Sequence, residues 1–281
     1  VAALAAIACG AGDSGTRGSP DAGGKTFARL GVVLTVSRDG TATVGAVGRL
    51  LRYKGVDRDS AQVLAGAHER DRVAVGRCAR VDDDARLDDT LATAPPDAAV
   101  QLLDAGELLV RVAGQTVTLA PRYVPEIVPF VTGVVYEREV QAQGGVEASG
   151  SAIIAAFGGQ QIGRFVAPAD VPAAPRLLVD TASVDGGADL VVGWTSDGAG
   201  ARDTVSLVVS RESGTALRCR VADTGRFVIP GAMLAHVLDG ARGETVGLAV
   251  ERSRKTPFSA PGLDAAEVEV TVRDLVTLSV E

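Results

Sequence analysis

The chain has 281 residues, of which 46% are hydrophobic and 22% charged, a composition that excludes disorder and collagen and suffices for about two domains. Its formal net charge of −7 repels a phosphate backbone and argues against nucleic acid as a partner. The 41 valines against 10 aromatics favour pleated sheets, because β-branched side chains pack well there and lose rotamer freedom in helices.

Residues 1–8 are apolar but too few to span a bilayer. Ala6, Ile7 and Ala8 precede Cys9, and this order resembles the lipobox of bacterial lipoproteins, in which the Cys becomes the diacylated amino terminus. On that reading 1–8 is the remnant of a signal peptide and 9–26 a flexible tether, too poor in apolar residues to order itself. Gly10 after the acceptor favours the outer membrane. The alternatives are an ordinary cleaved signal peptide or a short apolar helix, with Cys9 incidental.

From Phe27 to Tyr53 apolar alternation is broken at Arg38-Asp39-Gly40-Thr41, which predicts a hairpin because Asp-Gly supplies the positive φ angles of a tight turn. Residues 57–70 read as one short helix or a loop. Strands are expected over 72–81, 98–103, 107–112, 115–120 and 132–141. Ala-Pro-Ala-Asp-Val-Pro-Ala-Ala-Pro at 167–175 removes ladder donors and reads as a linker between a β-rich domain, 27–166, and a second domain, 176–281. In the latter, strands are expected over 176–179, 189–195, 204–210, 216–221, 226–229, 245–252 and 266–280. One helix follows Pro230, with Met233, Leu234, Val237 and Leu238 on one face and Gly240 as its stop. The fold class expected is all-β: two β-sandwich modules, the C-terminal one immunoglobulin-like with one short helix.

Cys78 and Cys219 alternate with Arg so that their thiols face the buried aliphatics. Assigned to different domains, they are expected as two buried free thiols, with a cross-domain disulfide as the alternative. Only His68 and His236 are present, and without a Gly-x-Ser-x-Gly elbow neither supports a hydrolase. The acidic run 82–89 is expected to be a solvated loop. Asp82, Asp84 and Asp88 are weak calcium candidates, since the turning Gly of an EF-hand is missing and Arg86 stands among the carboxylates. The glycine pairs at 144–145 and 158–159 lack a following helix and Lys, so they read as turns. Trp194, the only tryptophan, shares a face with Leu190 and Val192 and is expected in the core.

Leu103-Asp104-Ala105-Gly106, the run from Gly158-Gly159 through Ile162-Gly163-Arg164-Phe165 to Pro168, Pro172 and Pro175, Trp194-Thr195, and Cys219 through Pro230 before Met233 and Leu234 together resemble a group of uncharacterised myxobacterial-type lipoproteins. The resemblance is best over residues 100–240. It implies β-rich modules behind a lipobox and carries no reaction. The expectation is a non-catalytic, lipid-anchored envelope protein without a cofactor, presenting sheet faces or loops to another protein or a glycan. The rivals are an envelope hydrolase with a site between the modules and a calcium-stabilised adhesive module.

Overall fold

The computed structural model describes residues 24–37, 41–66, 73–81, 83–128, 131–142, 149–179, 182–198, 202–212, 214 and 216–281. The described chain is mostly β, with three short helices. It begins with β1 (Lys25–Ser37), β2 (Ala42–Lys54), α1 (Arg58–Leu64), β3 (Arg77–Val81), α2 (Asp83–Thr93) and β4 (Ala99–Leu102). Next come β5 (Leu108–Val112), β6 (Gln115–Leu119), β7 (Arg122–Val128), β8 (Val131–Gln141), β9 (Ser151–Ala156) and β10 (Phe165–Asp170). The rest comprises β11 (Leu177–Leu178), β12 (Ser183–Val184), β13 (Leu190–Trp194), β14 (Asp203–Ser210), β15 (Ala216–Val221), β16 (Arg226–Ile229), α3 (Gly231–Leu238), β17 (Thr245–Phe258) and β18 (Ala265–Val280).

These strands form three sheets. A large sheet runs β3-β15-β14-β17-β18-β1-β2-β4-β8-β7, with β12 attached to β18; a four-stranded sheet runs β10-β9-β5-β6 and a three-stranded one β11-β13-β16. The hairpin foreseen from alternation is present as antiparallel β1 and β2, paired from Lys25↔Tyr53 to Val36↔Ala42. On its other side β1 pairs in parallel with β18, Phe27 opposite Ala265. Sequence alternation gives no sign of that long-range parallel pairing.

Two apolar cores lie on the large sheet. In one, Leu30, Val32 and Leu34 of β1 and Val268, Val270 and Val272 of β18 pack with Val110, Val117, Ile154 and Phe165 of the four-stranded sheet. In the other, Leu207, Cys219, Leu248, Val276 and Leu278 pack with Val192, Trp194 and Ile229 of the three-stranded sheet and with Leu234 and Val237 of α3. Burying each such aliphatic contributes roughly 1.5–3 kcal/mol. A smaller cluster of Phe27, Leu51, Tyr53, Val100 and Leu102 lies with Ala61 and Leu64 of α1.

The structure departs from the sequence reading in several places, among them β7 and β9, which alternation did not indicate. The segment read as a linker, 167–175, enters β10 as far as Asp170, with Pro168 opposite Ile153. This is possible because β10 is the outer strand of its sheet, where a missing N–H donor is tolerated. The acidic run forms a helix, α2, rather than a loop; Leu87 and Leu91, four apart on one face, pack against the Phe27 cluster. Cys78 and Cys219 are not free thiols but a disulfide with S–S 2.02 Å. The free-thiol expectation rested on assigning them to separate domains, whereas β3 pairs with β15 inside the large sheet and sets Cys78 opposite Cys219. Of the segment 57–70, the described part forms α1 up to Leu64, capped by the Asp57 carboxylate, which accepts from the Ser60 N–H at 2.9 Å; 67–70 lie outside the described residues.

Candidate functional site

Trp194 is 2% exposed in the second core. Its indole Nε1 donates to Asp223 Oδ1 at 2.8 Å, and the other carboxylate oxygen pairs with Arg252 Nη2 at 2.8 Å. Arg252, 1% exposed, also donates to the carbonyls of Ala173 and Thr195, 2.7 and 3.0 Å away. The carboxylate is engaged by the indole, the guanidinium and, at 3.3 Å, the Asp197 N–H. Its work is structural: it lets a charge and an indole donor be buried together.

The remaining sequence candidates are dispersed. Cys219 is fully buried and Cys78 partly so. His236 is exposed on α3, and Asp88 is exposed on α2. Cys9, His68 and Asp82 lie outside the described residues, as does the side chain of Asp84. Among the described residues no group of three His, Cys, Asp or Glu could hold a metal ion. None of the described helices is long and apolar enough to cross a membrane.

A buried tyrosine and a half-buried aspartate fix the junction before β5. Tyr136, fully buried, accepts from the Ala105 N–H at 2.9 Å and donates to Asp104 Oδ1 at 3.2 Å. Burial pushes its phenol well above the ordinary range, and the neighbouring Asp104 charge acts in the same direction.

The surface that stands out is the outer side of the three-stranded sheet. Alternation turns Leu177, Leu190, Val192, Trp194 and Ile229 inward. The intervening Leu178, Val191 and Val228 remain 59%, 45% and 41% exposed, and Val191 lies opposite Val228 in register. Beside them opens a groove of about 660 Å³, lined by Leu178, Val191, Gly193 and Arg226 and bordered by Asp185, Asp189 and Glu281. Gly193 lowers its floor: a Cβ there would stand 3.0 Å from the Leu178 carbonyl oxygen. Asp189 Oδ1 accepts from Gly231 N at 2.8 Å, which serves the first turn of α3, and Asp185 Oδ1 accepts from Gly187 N at 2.8 Å. These two carboxylates are thereby held in place through one oxygen each. An apolar floor beside three carboxylates suits an apolar segment carrying positive charge.

This surface was not singled out from the sequence, because its residues come from three separated strands. The usable signal was the apolar residue at the outward position of each strand.

Neither the models of known protein families nor the curated proteins include a match to this chain.

Proposed function

We propose that the chain is a non-catalytic binding protein of the bacterial cell envelope, lipid-anchored at Cys9, that docks a basic, partly apolar segment of another envelope protein on its three-stranded sheet. The carrying observation is the exposed strip Leu178, Val191 and Val228 beside the groove bordered by Asp185, Asp189 and Glu281. An apolar strip beside three carboxylates and a single guanidinium, Arg226, carries net negative charge and suits a partner of net positive charge, with the apolar contacts supplying affinity and the carboxylates orientation and encounter rate.

The Cys78–Cys219 disulfide supports an oxidising compartment, where such bonds persist. The lipobox-like run before Cys9, with Gly10 after it, supports anchorage at the outer membrane. We further infer two sandwich-like modules that share the large sheet, the second immunoglobulin-like. The support is that each core joins the large sheet to one small sheet and that Trp194 and Cys219 occupy the same core.

The test has two arms. A Cys9→Ala variant should move from the membrane to the soluble envelope fraction, and unchanged fractionation rejects the anchor. Extended peptides alternating Val or Leu with Lys should bind the purified protein, at least tenfold more weakly to Val191→Glu and more weakly still at high salt. Equal binding by the variant, or none by the intact protein, rejects the docking surface.

A further inference from the structure

A second cleft lies on the large sheet, on the face turned away from Leu30 and Val32. Register sets Glu269 of β18, Gly31 of β1 and Val47 of β2 side by side in one row. Glu267, Arg29 and Arg49 form the adjacent row. Every strand in the first row contributes a side chain except β1, where the residue is glycine. A cleft of about 420 Å³ opens there, lined by Arg29, Gly31, Val33, Arg49, Glu137 and Glu269, among others.

Two groups in this cleft are incompletely served. Glu269 is 5% exposed; its Oε2 accepts from Arg29 Nη2 at 2.5 Å, but its buried Oε1 has no hydrogen-bond partner. Leaving a buried carboxylate oxygen without a donor forfeits its solvation uncompensated. Arg49 spends Nε on the Ala65 carbonyl and Nη1 on the carbonyls of Gly48 and Tyr136. Its Nη2 forms a long ion pair with Glu137 at 3.7 Å, and that carboxylate is itself more than half exposed. Burial lowers the Arg49 pKa, and Glu137 offsets this only in part.

The cleft therefore offers one buried acceptor without a donor, Glu269 Oε1, and one donor, Arg49 Nη2, held only by a long ion pair to the exposed Glu137. Arg29 and Arg49 balance Glu137 and Glu269, two positive against two negative charges. A simple cation would meet two guanidinium groups and a simple anion two carboxylates. A zwitterion matches both. The volume far exceeds the ~30 Å³ that a single water occupies, and Val33 and Val47 supply an apolar wall.

We propose that this cleft binds a free aliphatic α-amino acid, its ammonium group donating to Glu269 Oε1, its carboxylate accepting from Arg49 Nη2, and its side chain lying on Val33 and Val47. The site is independent of the docking surface on the three-stranded sheet.

Titration calorimetry of the full chain with each of the twenty free amino acids tests this, with L-leucine as the reference probe. Its amine analogue, isopentylamine, and its acid analogue, 4-methylpentanoate, are titrated at the same pH and salt. Saturable binding of an aliphatic amino acid is expected, at least tenfold tighter than binding of either analogue. Val33→Phe, which enlarges the half-buried apolar wall and leaves every charged group in place, should weaken binding at least tenfold while keeping the unfolding midpoint near that of the parent; Glu269→Gln should weaken it similarly. If Glu269→Gln fails to fold, Val33→Phe alone decides. No saturable binding of any amino acid, equal binding of the amine, or binding indifferent to Val33→Phe overturns the proposal. Val191→Glu should leave amino-acid binding unchanged, so failure of one site is distinguishable from failure of the other.

Discussion

Cys78 and Cys219 stand opposite each other on β3 and β15, joined through their sulfurs across a sequence separation of 141. The bond secures β3, a short strand at the end of the large sheet, to a strand whose inner face is core. Closing so long a loop restricts the unfolded chain strongly.

Replacing both cysteines by Ala is therefore expected to cost about 2–5 kcal/mol. Urea unfolding of parent and double variant, each with and without reductant, checks this. Reductant should lower the parent's midpoint and leave the variant's unchanged. Equal midpoints for parent and variant would show that the bond does not restrain the chain.

Asp223→Ala removes the partner of both the Trp194 indole and the Arg252 guanidinium. Stranding a buried charge costs about 3–5 kcal/mol, more than the packing loss from so small a side chain. Trp194 is the only tryptophan, so its fluorescence reports directly. The variant should unfold at lower urea, and the native emission should shift in wavelength as the indole N–H loses its acceptor.

Tyr136 should resist ionisation. Its phenol is raised by burial, so the neutral form is favoured in the folded state. The stability this supplies is complete below the unfolded tyrosine pKa of about 10 and is lost as pH rises toward the folded value. Spectrophotometric titration should give the same tyrosinate absorbance for parent and Tyr136→Phe while both remain folded. The variant also strands the Ala105 N–H, at an expected cost of about 1–3 kcal/mol.

Asp57 caps α1, and the Ser60 backbone N–H, then its hydroxyl, hold the Asp57 carboxyl below the usual carboxylate range. Stability from this cap is present above the unfolded carboxyl pKa of about 3.9 and lost as pH falls through the lower folded value. Asp57→Ala should cost about 0.5–2 kcal/mol at neutral pH. In acid, where both proteins lack the charged cap, the gap between their unfolding midpoints should narrow.

Local pattern carried much of the strand inventory. Residues 216–221 and 226–229 are strands over the ranges that alternation indicates, and the helix after Pro230 runs Gly231–Leu238. Alternation specifies a face and not a partner, so the parallel pairing of β1 with β18 was invisible, and with it the continuity of one sheet across the supposed domain boundary. Pro168 concealed β10 because a proline strand is admissible only at an edge, a position that sequence does not reveal. In α2 the density of aspartates outweighed the spacing of Leu87 and Leu91. Both clefts were unreadable for a related reason: Gly31 and Gly193 become floors only once their neighbours across the sheet are known.

The parallel junction of β1 and β18 also bears on when the molecule can mature. Residues 25–37 cannot complete their place beside residues 265–280 until the ribosome has made the latter, more than two hundred positions later. Contacts this distant in sequence slow folding. The nascent chain thus lacks a finished first core through most of its synthesis, and its apolar strands stay open until the last one emerges.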